Sequence, residues 1–232
     1  MISQSRSISN TGGLPWMALS WLAWSVVVGL LVGGLLALST VRVLAAGEDA
    51  LYGPDAPEDS AYIRVFNGLA NVPVREVVLG GKSLGSVAAL SASDYVFLPP
   101  GMHELSTSVG NVQHELVSGQ SYTLVVMAKQ SLKLVQGEVL NSKRQALLRF
   151  YNLMVETPLA LKTANGRATV FDAVDYLTEQ NRLINAVNVT LATFHNQKKV
   201  ADAQPITLQR GKAFSLFACG SPERPQLVWV EN

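Results

Sequence analysis

Gly81-Lys82-Ser83-Leu84-Gly85 has the spacing G-x-S-x-G, in which a strained strand-to-helix turn lifts a serine above an α/β sheet as a nucleophile. Its surroundings argue against that chemistry. Gly80-Gly81 suits a two-residue hairpin turn, because such turns need positive φ at both central positions, and no helix of adequate length is patterned after it. Ser83 is therefore expected as a turn residue. The same glycines fail as a phosphate loop, since Glu76 stands where G-x-x-x-x-G-K-[ST] requires glycine. His103, His114 and His195 form no H-x-x-H or H-E-x-x-H pattern with one another or with carboxylates, so no metal site is expected. His103 and His114 flank a hairpin expected around Gly110-Asn111, and an exposed sheet face accounts for both. Cys219 is the only cysteine, which excludes an intrachain disulfide, and its place after Leu216-Phe217-Ala218 predicts an inert buried thiol. No catalytic, cofactor-binding or metal residue is assigned. Of the four tryptophans only Trp229 lies beyond the first 46 residues, so a strong aromatic glycan platform is not apparent.

The elements that hold these residues read as β throughout. Tyr62-Ile63-Arg64-Val65-Phe66, Val77-Val78-Leu79, Tyr122-Thr123-Leu124-Val125-Val126 and Phe214-Ser215-Leu216-Phe217 are short β-branched, aromatic or aliphatic runs punctuated by Gly, Pro, Asn and Ser. Many short strands imply sandwiches or barrels. In Val170–Ile184, Phe171, Val174 and Leu177 sit at helical spacing, and a helix and a loop both fit. The chain also repeats itself. Ile63-Arg64-Val65-Phe66-Asn67 aligns with Leu148-Arg149-Phe150-Tyr151-Asn152 at an offset of 85, as do Pro73 with Pro158 and Gly81 with Gly166. Gly119-Gln120-Ser121-Tyr122-Thr123-Leu124 aligns with Gly211-Lys212-Ala213-Phe214-Ser215-Leu216 at an offset of 92, as if seven residues were added in the middle of the second copy. The expected fold class is all-β, with two tandem, internally duplicated β-sandwich-like domains after an N-terminal signal or anchor helix. Residues 61–140 form the first domain, 141–145 a polar linker and 146–232 the second. Gly80-Gly81 and Asn165-Gly166 become equivalent hairpin turns, and Asn67 and Asn152 support turns at equivalent strand ends. Arg64 and Arg149, each between aliphatic neighbours, are expected on a solvated strand face.

Residues 1–46 differ from the rest. From Leu14 to Val41 there is no charge, Arg6 precedes the run and Ala45-Ala46 closes it. This describes a secretory signal. It is also an apolar helix about 42 Å long, enough to remain as an uncleaved membrane anchor. Either reading exports the remainder, which contains 47–60 as an extended linker. The whole chain has 18 basic and 17 acidic residues, and two of the basic ones, Arg6 and Arg42, belong to the leader. The near-neutral remainder has no electrostatic footprint for nucleic acid. Leu51-Tyr52-Gly53-Pro54 sits among acidic residues before the first strand. An apolar pair on a Gly-Pro hinge is either an exposed anchor for a partner's pocket or a cap on the edge of its own sheet.

Leu51-Tyr52-Gly53-Pro54-Asp55-Ala56-Pro57, followed by Ser60, Arg64-Val65 and Asn67, closely resembles the start of the mature alginate O-acetylation accessory proteins of pseudomonads, the AlgF family. The stretch from Ser93-Asp94 to Pro99-Pro100-Gly101, Leu161-Lys162-Thr163-Ala164 with Gly166, and the Val228-Trp229-Val230 ending extend the resemblance over most of residues 50–231. It implies a periplasmic, non-catalytic accessory protein in O-acetylation of an exopolysaccharide, mediating interactions between a membrane-bound O-acyltransferase and periplasmic acetyltransferases. The alternative function is a glycan-binding module that presents the polymer, alginate or acetylated cellulose, to those enzymes. The inner membrane is a further partner if the leader is uncleaved. The long apolar amino terminus departs from the family.

Overall fold

The computed structural model describes Pro57 and residues 59–231, apart from 128–130, 140–141 and 155–156. The leader and Leu51-Tyr52-Gly53-Pro54 lie outside the described residues. Every regular element described is a strand. The first half contributes β1 (Ala61–Asn67), β2 (Val74–Leu79), β3 (Lys82–Val87), β4 (Ser91–Ala92), β5 (Val96–Leu98), β6 (Gly101–Thr107), β7 (Gly110–Leu116), β8 (Gln120–Met127) and β9 (Ser131–Glu138). The second contributes β10 (Ala146–Asn152), β11 (Leu159–Thr163), β12 (Thr169–Val174), β13 (Thr178–Ile184), β14 (Val187–Val189), β15 (Leu191–His195), β16 (Lys198–Asp202), β17 (Ile206–Leu208), β18 (Ala213–Ser221) and β19 (Arg224–Glu231).

The two halves have one topology. In the first, a sheet ordered β4-β1-β8-β9, with β5 also on β1, packs on a sheet ordered β3-β2-β6-β7; in the second, β13-β10-β18-β19 packs on β12-β11-β15-β16. Each copy contains the same unusual pairing, a parallel one between its first strand and its penultimate long strand: β1 with β8, and β10 with β18. Alternation directs Ile63, Val65, Leu124 and Val126 into the first sandwich, against Val74, Val77, Leu79 and Leu105. Leu148, Phe150, Leu216 and Ala218 do the same in the second, against Leu159, Leu161, Phe171 and Leu191.

The added length of the second copy is distributed. Pairing of Val74 with Val87 and of Leu159 with Val174 makes the offset 87 at β3 and β12. It is 88 at the hairpin tips, where Thr107 pairs Gly110 and His195 pairs Lys198, and 92 where β8 and β18 meet β1 and β10. The β14–β17 ribbon occupies part of this extra length and covers Ala146 and Phe214.

Three sequence expectations require correction. Val170–Ile184 is neither helix nor loop but β12 and β13. The spacing of Phe171 and Val174 comes from a bulge: Leu159 pairs Val174 and Leu161 pairs Phe171, so three steps along β12 match two along β11, and both side chains reach the core. Gly80-Gly81 does form a two-residue turn, with φ of 54° and 82° and Leu79 paired to Lys82. Its counterpart is wider, since Asn165 and Gly166 lie in a five-residue loop closed by a hydrogen bond from Thr163 N to Ala168 O. Thirdly, Arg64 and Arg149 are buried, 0% and 5% exposed, and not solvated.

Candidate functional site

The outward faces of the two central sheets meet each other. Phe66, Val125, Val135, Tyr151, Leu153, Phe217 and Cys219 form a third apolar cluster, made by both halves. Phe66 stacks on Phe217 with ring centroids 3.7 Å apart, and Tyr151 stacks on Phe217 at 4.3 Å. The central strands are thus buried on both faces, which explains why Ala61–Asn67 and Ala146–Asn152 carry so little polar alternation.

Both arginines lie in this layer at equivalent positions. Arg64 donates from Nε to Thr123 Oγ1 (3.3 Å) and from Nη2 to Ser215 Oγ (2.8 Å) and Tyr151 Oη (3.5 Å), so its guanidinium joins the two halves. It lies over the Tyr95 ring, 4.6 Å from the centroid. Arg149 donates from Nη1 to Tyr95 Oη and from Nη2 to Glu138 O (3.0 Å), and its Nε is 3.7 Å from Glu179 Oε1. The Glu179 side chain is itself 1% exposed and accepts from Asn181 Nδ2. Burial works against the Arg149 charge, but Tyr95, Tyr151 and Glu179 together hold its pKa above the ordinary value. Burial, reinforced by Glu179 and Tyr95, holds the Tyr151 phenol well above its usual pKa, so it stays neutral and can donate as well as accept. This arrangement joins two domains; it holds no nucleophile with a base beside it.

The residues first considered for chemistry lie elsewhere. Ser83 is exposed on β3, two residues past the glycine turn and in register with Val78; it is a strand residue, not a turn residue. β3 hydrogen-bonds back to β2 as a hairpin, so the strand-to-helix strain of a nucleophile elbow does not arise. His103 and His114 are direct cross-strand partners, but their hairpin turns at Ser108-Val109, not Gly110-Asn111, and both are half-buried. His103 Nε2 is 2.8 Å from Pro99 O, and His114 meets Tyr122 edge-on. His195 ends β15 in the other half. Among the described residues no three of His, Cys, Asp and Glu gather as a metal site. Cys219 is 3% exposed, and burial pushes its thiol up to about 12. Asn67 and Asn152 are used as expected: each buried amide donates to carbonyls of the following loop, and each Oδ1 accepts a backbone N–H two residues on.

Sequence reasoning missed an open trough of about 1050 Å³ at one side of the domain interface. Its walls come from β9, β12 and β13 with Gln120 of β8, and its lining is mostly amide and charged side chains. The convergence of these strands depends on the packing of the two copies, which the sequence of either copy does not encode.

Fold and site define a class: a duplicated β-sandwich protein whose two domains are joined by a buried arginine–tyrosine layer. Residues 34–215 match the family described as Alginate O-acetyl transferase AlgF, and the chain belongs to that family. It is 36% identical over 206 residues to the alginate biosynthesis protein AlgF of Azotobacter vinelandii, covering 89% of this chain and 94% of that one. To the alginate biosynthesis protein AlgF of Pseudomonas aeruginosa it is 39% identical over 187 residues, covering 81% and 85%. A solved structure of the C-terminal domain of AlgF from P. aeruginosa, 41% identical, aligns with 39% of this chain and 100% of its own, at a TM-score of 0.35.

Proposed function

We propose that this chain is a non-catalytic accessory protein for O-acetylation of an alginate-type exopolysaccharide, working in the periplasm by holding a membrane-bound O-acyltransferase and periplasmic acetyltransferases together. Family membership supports the pathway. The observation that carries the non-catalytic part is the doubly buried central layer. Arg64, Arg149, Tyr151 and Cys219 are locked inside it, while Ser83 and the histidines are spread over outer strands of two domains. The result is a body with extensive outer surface, which suits binding more than turnover; Thr157 Oγ1 does lie 3.4 Å from His195 Nδ1, with Asn196 Nδ2 on the other ring nitrogen, but this exposed contact is at the outer limit of a hydrogen bond. The uncharged run from Leu14 to Val41 is consistent with export, and with a tether to the inner membrane if it is retained.

The test is affinity recovery of the tagged full chain from detergent-solubilised membranes of cells making the polymer. The accessory role predicts co-recovery of the O-acyltransferase and the periplasmic acetyltransferases, undiminished by digesting the polymer first. Recovery of polymer without those enzymes would favour a glycan-presenting module instead.

A further inference from the structure

The trough is where three sheets end. β9 is the edge of one central sheet, β13 the edge of the other, and β12 the edge of the second outer sheet. Strand edges facing a common space present backbone donors and acceptors that another strand can pair with. Here the outward carbonyls of β12 are held by side chains: Gln180 Nε2 donates to Ala173 O (2.7 Å) and Arg182 Nη1 to Val170 O (3.2 Å). Gln180 and Arg182 are both exposed, so an incoming backbone N–H can replace them without breaking the core. The bulge at Asp172-Ala173 turns that stretch of β12 out of regular pairing with β11.

The charge of the walls selects the occupant. Glu138 and Asp172 are exposed, and among the described residues neither is in an ion pair; Glu179 of the same lining is paired with Arg149, and Arg182 is its exposed cation. Phe171, the aromatic ring of the lining, is 7% exposed and turned into the core, leaving no platform for a sugar ring. A carboxylate-bearing polymer would meet these two unpaired carboxylates against a single exposed cation, Arg182, which is already held to Val170 O. The geometry points to this trough as the docking site for an extended, lysine- or arginine-bearing segment of a partner protein, laid along the edge of β12 in place of the Gln180 and Arg182 side chains. This rests on the interaction role proposed above and locates it.

The test places a photo-crosslinking residue at Gln136 or Ala173 in the full exported chain, with Glu104 on the first outer sheet as control. Adducts with an acetylation enzyme are expected at both trough positions and not at Glu104, mapping to an extended segment that contains Lys or Arg. Glu138→Lys with Asp172→Lys is expected to lower recovery of that enzyme at least tenfold at unchanged melting temperature, and Lys/Arg→Glu in the mapped segment to restore it. Recovery within twofold of wild type in the double variant would overturn the docking site alone. So would adducts that carry carbohydrate or a second copy of this chain. A wild-type chain that recovers no acetylation enzyme would overturn both the site and the interaction role.

Discussion

Asn67 shows how much structure one side chain carries. Its amide donates to Val72 O, Val87 O and Ala88 O, while its Oδ1 accepts from Leu69 N, tying the end of β1 to the following loop and to the end of β3. Asn67→Ala strands buried carbonyls and should cost on the order of 2–3 kcal/mol. Asn67→Asp keeps the shape but replaces the donor with a second acceptor, so it should cost at least as much. Chemical denaturation of both variants checks the order; a milder effect of Asp would contradict these bonds. Cys219 makes a pH prediction. Burial pushes its folded thiol up to about 12 from an ordinary 9.0, so the stability tied to the neutral thiol is fully present below 9.0 and is lost as pH rises towards 12. Cys219→Ala should reduce that alkaline loss, measured as melting temperature between pH 8 and 11. Native protein at pH 8 should resist alkylation until it is unfolded.

At the scale of elements, the glycine turn separates two causes of intolerance. A Cβ on Gly80 would lie 2.6 Å from Leu98 Cδ1 and 2.8 Å from His103 Nδ1, whereas one on Gly81 would meet nothing within 4 Å. Both φ values are positive. Gly80→Ala should therefore cost roughly 1–3 kcal/mol, and Gly81→Asn, a residue that accepts this conformation, less than about 1 kcal/mol. Equal losses in thermal melts would contradict the turn geometry. Strand class, duplication and the Gly80-Gly81 turn were legible because they rest on local spacing and on residues that repeat at fixed offsets. The span 170–184 misled because a bulge places Phe171 and Val174 on one face at a three-residue interval, which imitates a helical turn. Arg64 and Arg149 misled for a different reason: a charge in a strand ordinarily marks the wet face. The contrary signal was present in the unbroken apolar character around both, and in hydroxyls at matching positions, Thr123 and Ser215. Reading it requires knowing that the two copies pack face to face, a tertiary fact.

Across the whole molecule, the arginine layer joins the two sandwiches through buried contacts. Arg149→Met removes the cation from the buried Glu179 carboxylate and should destabilise by about 3–5 kcal/mol. Adding Glu179→Gln should recover part of that loss, since the isolated charge disappears. Denaturation of the single and double variants reads this directly, and strictly additive losses would argue against the pairing. Ionic and aromatic groups so deeply committed to holding the domains together are not available for chemistry, which supports the accessory role proposed above. The most direct measurement is the acetyl content of polymer from cells whose own copy is deleted and replaced by a variant carrying Ser83→Ala, His103→Ala, His114→Ala, His195→Ala and Cys219→Ala together. At wild-type protein levels the account predicts acetylation restored to the wild-type degree. Acetylation at the level of the deletion, with the variant present in normal amount and folded, would contradict it.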